Sequence, residues 1–516
     1  MNRPKFLYGA AVQGIQSFIF QTNALREIAG ASELVEQICT KLFAEAIGSN
    51  VETLLNDNNA IVTAAGNIKY VFDDEEDCKK LVLKFPKIVM GFAPGITISQ
   101  AVVKIEGEIE KEHIDELEHR LRTQRNKSIR PFDIGLMAMN RSRKTGLPAV
   151  EYDNKEKEYR DLGVVLKNAA IQSEDKESPV YGRIVENFFG KGTKVKLALD
   201  FKKITSSESK DYSWLAVVHA DGNNMGIAIQ KLAEATHNLK GKSFIEVFRK
   251  FSLALDNSTV TAANMAYTEI IKNQKDKAKY PPFRPIIIGG DDLTVVCRGD
   301  LALPFTKLFL QHFVDETKAN FKSVSEKVKF FKDGLTACAG IAYIKESYPF
   351  HYGYNLAETL CGEAKKVAKD GLGENQTTPS CLMFHKVQDS FVEEYKEIRE
   401  RELCAGRGEK KIRFDFGPYY LESTQKKPTI EHLEECVSIL DGKEGSAIKS
   451  HLRQWLTDLH NEPSLAEQKL DRLISAASKS TKEKLHELRL PNSAIQNGKS
   501  PVYDWLTIHS INKGGK

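Results

Sequence analysis

A chain of 516 residues exceeds what one hydrophobic core sustains and points to about three or four units of roughly 100–200 residues each. With 41% hydrophobic and 28% charged residues it has the composition of a globular protein, which excludes a fibrous or wholly disordered chain. A formal net charge of +4 is too near balance to require a polyanionic partner.

Taken from the N-terminus, MNRPKFLYGAAVQG lacks an apolar stretch long enough for a signal peptide, and no run reaches the ~18 apolar residues of a membrane span. Cys39, Cys78, Cys297, Cys338, Cys361, Cys381, Cys404 and Cys436 include no CxxC pair, and several lie in apolar runs, the pattern of reduced core thiols. A cytoplasmic protein with no membrane partner is expected.

FLYGAAVQGIQSFIF reads as a strand, and ASELVEQICTKLFAEAIG as a helix opened by Ser32. IVTAAGNIKYVF breaks at Gly66-Asn67 into a hairpin, followed by the helix DDEEDCKKLVLKFPKIV and the strand ITISQAVVKI. The order β-α-β-β-α-β over residues 1–110 is that of a ferredoxin-like unit. Residues 111–200 carry a mixed-charge helix and then a polar, weakly periodic stretch, read as a helical or irregular insert. There Arg120, Arg122, Arg125, Lys127, Arg130, Arg141, Arg143 and Lys144 form a basic band, either a solvated face or a nucleic-acid surface.

The same order returns over 201–390: the strand and turn SWLAVVHADGNNMG, a helix over 243–272, the hairpin RPIIIGGDDLTVVCR, the helix LALPFTKLFLQHFVDETKANF and the strand LTACAGIAYIKES. Gly66-Asn67 is expected to occupy the place of Gly290-Asp291 in this second copy. PTIEHLEECVSILDG, SAIKSHLRQWLTDLHN and SLAEQKLDRLISAASKST make 391–516 a helical C-terminal domain ending in a frayed INKGGK tail. The predicted class is α+β: two ferredoxin-like domains, a helical insert and a helical C-terminal domain.

IIIGGDDLTVV (286–296) sets two acids behind two glycines, which serves as hairpin punctuation or as a metal site. In a ferredoxin-like sheet the first strand and the central hairpin are neighbours, so Asp221 should stand beside Asp291 and Asp292. Three carboxylates in an apolar sheet repel unless cations lie among them, and Mg2+ or Mn2+ is the natural occupant. Two such ions activate a hydroxyl and stabilise leaving pyrophosphate, the chemistry of nucleotidyl transfer from a nucleoside triphosphate. The turn residues Gly222, Asn223, Asn224, Met225 and Gly226 offer backbone N–H groups at a helix start for phosphate oxygens, with Gly290 alongside. On HYGYNLAETLCGEAKKVAKDG, Lys365 or Lys366 faces either phosphate or solvent, and Lys369 faces solvent.

GIQSFIFQTNALREIAGAS (14–32), DGNNMG (221–226), GGDD (289–292), CAG (338–340), AKK (364–366) and SCLMFH (380–385) together resemble the large polymerase/cyclase subunit of type III CRISPR effector complexes. The likeness is closest to the RAMP-module branch and runs over most of the chain. It implies two palm domains, the first degenerate and the second converting ATP into cyclic oligoadenylates in antiviral defence. It also implies metal ligation by Asp221, Asp291 and Asp292, and a nucleotide contact by Lys365. Asn223 departs from the family pattern, which has an acid there, and the family's zinc-binding cysteines are absent around RSRKTGLPA. No HD nuclease precedes the first palm, so DNA cleavage is not expected. Competing readings are a diguanylate cyclase, which shares the palm, and a non-catalytic scaffold that binds guide RNA and CRISPR-type protein subunits. A second copy of the chain is a further candidate partner.

Overall fold

The computed structural model describes residues 3–513 except 65, 128–137, 172–181, 194, 208–211, 275–278, 327, 374–375, 390–393, 407–410, 423–426 and 491. In the first copy, β1 (Lys5–Gln13), β2 (Ala60–Ala64), β3 (Asn67–Phe72) and β4 (Thr97–Ile105) form an antiparallel sheet in the order β2-β3-β1-β4. This is the ferredoxin-like arrangement expected from the element order. Helix Glu75–Phe92 buries Cys78, Leu81, Phe85 and Val89, three or four residues apart, as an amphipathic helix must.

Two local expectations fail here. The first strand stops at Gln13, because Gly14 at φ +71° turns the chain and Ile15–Ile19 is helical. The next helix starts at Leu25 rather than Ser32, and its N-cap, Ala24, has no side-chain oxygen to mark the start. Ser32 lies inside that helix, with its hydroxyl donating to the Ile286 carbonyl of the second copy.

The insert holds the predicted helix, Lys111–Arg125, and a hairpin that periodicity does not reveal, β5 (Ala149–Asp153) with β6 (Glu158–Asp161). Its outward-facing strands carry too few apolar residues to signal β structure, although Tyr152 and Tyr159 pack with ring centroids 4.9 Å apart. In the basic band, Arg120 pairs with Glu116 at 2.6 Å, Arg125 with Glu118 at 3.7 Å and Lys144 with Glu27 at 2.7 Å. Arg120 and Arg125 thus sit on a paired, solvated face, whereas Lys144 reaches the buried Glu27 of the first copy; Arg130 lies outside the described residues.

In the second copy, β7 (Leu215–Gly222), β8 (Phe283–Gly289), β9 (Asp292–Arg298) and β10 (Ala337–Ile344) repeat the first sheet's order as β8-β9-β7-β10. Helix Phe350–Lys369 then leads to β11 (Cys381–Lys386), which joins β10 in parallel. The C-terminal part adds short strands to the predicted helices: β12 (Cys404–Ala405) pairs with β13 (Ile412–Arg413), and β14 (Tyr419–Tyr420) extends the second sheet beside β11. The tail begins ordered, since Ile511 is buried in helix Val502–Asn512; residues 514–516 lie outside the described set. All eight cysteines are buried free thiols.

Register corrects the match between the copies. Ala64 pairs with Asn67 as Gly289 pairs with Asp292, and Ala11 faces Asn67 as Asp221 faces Asp292. Gly66-Asn67 therefore corresponds to Asp291-Asp292, not to Gly290-Asp291, and Ala11 corresponds to Asp221. The sequence match slipped by one because glycine alone was the marker, whereas the ladder counts pairs. The first copy lacks all three acids.

Candidate active site

Strand pairing builds the site. Asp221, next to last in β7, lies directly across from Asp292, which opens β9, and Asp291 sits in the turn between β8 and β9. One carboxylate oxygen from each lies within 4.8 Å of the others. Burial first, and Asp221 next, push the Asp291 carboxyl above the usual carboxylate range; burial, Asp291 and Asp221 do the same to Asp292. Hard oxygen donors, crowded and partly desolvated, fit a divalent cation.

The Asp221–Gly226 turn is shaped around these acids. A Cβ on Gly222 would stand 2.7 Å from the Asp291 Cβ, so only glycine lets the two segments approach. Gly222 N–H donates to the Asp291 carbonyl at 3.2 Å. Asn224, at φ +58°, ends the turn, and Met225 begins helix Met225–Ala235 with Gly226 exposed next to it. Asn223 is not where a nucleotide contact would need it. It is 1% exposed, and its Nδ2 donates to Thr336 Oγ1 at 3.1 Å and to the Thr378 carbonyl at 3.4 Å. An aspartate here would set its charge against that carbonyl, so the buried position favours an amide.

Of the three lysines on helix Phe350–Lys369, only Lys365 reaches the acids. Its ammonium pairs with the Asp221 carboxylate and donates to the Gly222 carbonyl at 2.9 Å. Lys366 and Lys369 are exposed.

Residues 214–373 match the family model described as Cas10/Cmr2, second palm domain. The chain carries a Cas10-type second palm. Over 99% of its length it is similar to solved Csm1-Csm4 cassettes: one with AMPPNP (TM-score 0.55, 15% identity, 70% of that chain) and one with pppApApA (0.55, 14%, 69%). A third, in complex with cA4, gives a TM-score of 0.53 at 15% identity over 70% of that chain. At this identity the likeness establishes a shared fold. A comparison with curated proteins finds no match.

The Cas10-type palm opens into a cavity of about 450 Å3 shared with the first copy. The second copy contributes Asp221, Asp292, His219 and Tyr354 to its wall, and the first contributes Gln16, Glu36 and Gly66. Gln16, from the GIQ element, donates to Tyr354 Oη at 2.9 Å and Glu358 Oε1 at 2.8 Å, and so ties the copies together at the rim. His219, which sequence reasoning passed over, bonds Thr294 Oγ1 through Nδ1 at 3.0 Å, and burial lowers its pKa. Its spacing of two from Asp221 was the available signal, since alternate strand residues share a face. No helix among the described residues is long and apolar enough to cross a membrane.

Proposed function

We propose that this chain is a cytoplasmic, metal-dependent nucleotidyltransferase that joins ATP into oligoadenylates and closes them into a cyclic messenger for antiviral defence. The observation that carries this reading is the convergence of Asp221, Asp291 and Asp292 at the edge of a cavity large enough for a nucleoside. Asp221, Asp291 and Asp292 would hold Mg2+ or Mn2+. Bound divalent ions supply the Lewis acidity that activates an attacking 3′-hydroxyl and offsets charge on leaving pyrophosphate.

The chain's own residues do the rest. Lys365 places its ammonium beside Gly222, where it would meet phosphate oxygens as a compact point charge. The Gly222 and Asn223 N–H groups are taken by the Asp291 and Thr336 carbonyls, so the helix start at Met225 is what presents backbone N–H groups to the same oxygens. The wall shared with the first copy would seat an acceptor nucleotide, which gives the acid-free copy a use. Docking on another CRISPR-type protein is a companion role, favoured by the crystallisation of the similar Csm1 chains with Csm4.

The test is incubation with each labelled nucleoside triphosphate and Mg2+ or Mn2+, with and without RNA. Wild type should form oligonucleotide product, with ATP preferred. Asp291→Ala and Asp292→Ala should abolish it while leaving the circular dichroism spectrum unchanged, because turn acids contribute little packing. Product formation by these variants at the wild-type rate would reject the reading.

A further inference from the structure

The turn that carries Asp291 is gripped from outside its own hairpin. Gly290 lies beyond the last ladder pair, Gly289 with Asp292, at φ +61°. Its N–H donates to Asp256 Oδ1 at 3.1 Å, and its carbonyl accepts from Thr259 Oγ1 at 2.6 Å. Asp256 and Thr259 are three residues apart on helix Gly241–Asn273, so one helix face holds both polar groups of a single residue. Thr259 is fully buried, and the Asp256 side chain is 15% exposed.

The second oxygen of Asp256 continues the chain of contacts. Asp256 Oδ2 lies 3.8 Å from Arg183 Nη2, and Arg183 Nη1 donates to Glu36 Oε1 at 3.1 Å. Glu36 belongs to helix Leu25–Gln37 of the first copy, the counterpart of the helix bearing Asp256. Three residues beyond Glu36, Cys39 lines the same cavity as Gly66, the first copy's counterpart of Asp291. Arg183 thus bridges the corresponding helices of the two copies. Only the hairpin turn of the second copy bears acids.

We infer that Asp256 and Thr259 are positioning residues that fix the Gly290 backbone and so aim Asp291 and Asp292, with Arg183 and Glu36 coupling that turn to the first copy. This rests on the metal-site reading proposed above. The physical need is plain: three crowded carboxylates push one another apart, and a glycine turn is the softest part of the hairpin. Two hydrogen bonds from a long helix oppose that relaxation. Groups that orient metal ligands in this way characteristically change metal affinity by about 10–100-fold when removed.

Mn2+ titration followed by electron paramagnetic resonance, with hydrogen exchange of the 283–298 hairpin, tests the inference. Asp256→Ala and Thr259→Val should each weaken Mn2+ binding about tenfold or more and speed exchange in the hairpin. Asp256→Asn keeps the acceptor and Thr259→Ser keeps the donor, so both should bind nearly as wild type. Glu36→Gln should give a smaller loss in the same direction. A merely structural role would lower melting temperature without this pattern of rescue. Wild-type Mn2+ affinity in both Asp256→Ala and Thr259→Val would overturn the inference, and if the alanine variant does not fold, the Thr259 pair decides alone. Should wild type bind no Mn2+, the metal-site reading fails separately. Hairpin exchange then judges the clamp, with unchanged exchange in Asp256→Ala and Thr259→Val rejecting it.

Discussion

Asp221 and Asp292 face each other across two strands, an arrangement that costs stability when no cation is present. Because the Asp291 and Asp292 carboxyls are held above their ordinary range, the folded protein keeps protons that the unfolded chain releases. The resulting stabilisation is complete below about pH 4 and is lost as pH rises through the raised values. Asp292→Asn should therefore raise the melting temperature of the metal-free protein, and its advantage over wild type should grow from pH 5 to pH 8 in thermal scans. A constant difference across that range would contradict the assignment. Lys365→Ala should lower turnover by about 10²–10³-fold yet spare Mn2+ binding, since it removes a cation rather than a ligand; kinetics beside Mn2+ titration separates the two. The three acids were legible in the sequence because strand order alone brings them together. Asn223 was not, because nothing in DGNNMG states that its side chain turns inward to Thr336 and Thr378.

Among the elements, helix Phe350–Lys369 sets the position of Lys365 by lying close on β10. A Cβ on Gly340 would fall 2.0 Å from the Ala357 carbonyl, so this glycine of the CAG element is what lets the helix settle. Gly340→Val should destabilise the second copy by about 1–3 kcal/mol or more, seen as a lower denaturation midpoint, and should weaken the contact between Lys365 and Asp221. Both ferredoxin-like units were readable because their strands and helices carry strong apolar periods of two and of three to four. The hairpin Ala149–Asp161 carries no such period, and Leu25–Gln37 starts without a cap that sequence could advertise.

Across the whole molecule, the acid-free first copy forms one wall of the cavity that Asp221 and Asp292 border. The Phe20 ring lies tilted against Tyr354 and Phe350, with centroids 4.1 and 5.6 Å away, and Gln16 reaches Tyr354 and Glu358 beside it. Phe20→Ala should cost about 3–5 kcal/mol of packing and lower the melting temperature, with nucleotide binding lost before overall helicity as the cavity opens. Duplication was visible in the sequence, but the cavity between the copies was not, because it depends on which faces meet. The most direct measurement is a crystal structure with Mn2+ and a non-hydrolysable ATP analogue, read by anomalous scattering. The expected result is a manganese peak within bonding distance of Asp221, Asp291 and Asp292, with the triphosphate against Lys365. Manganese bound elsewhere, with these three side chains uncoordinated, would contradict it.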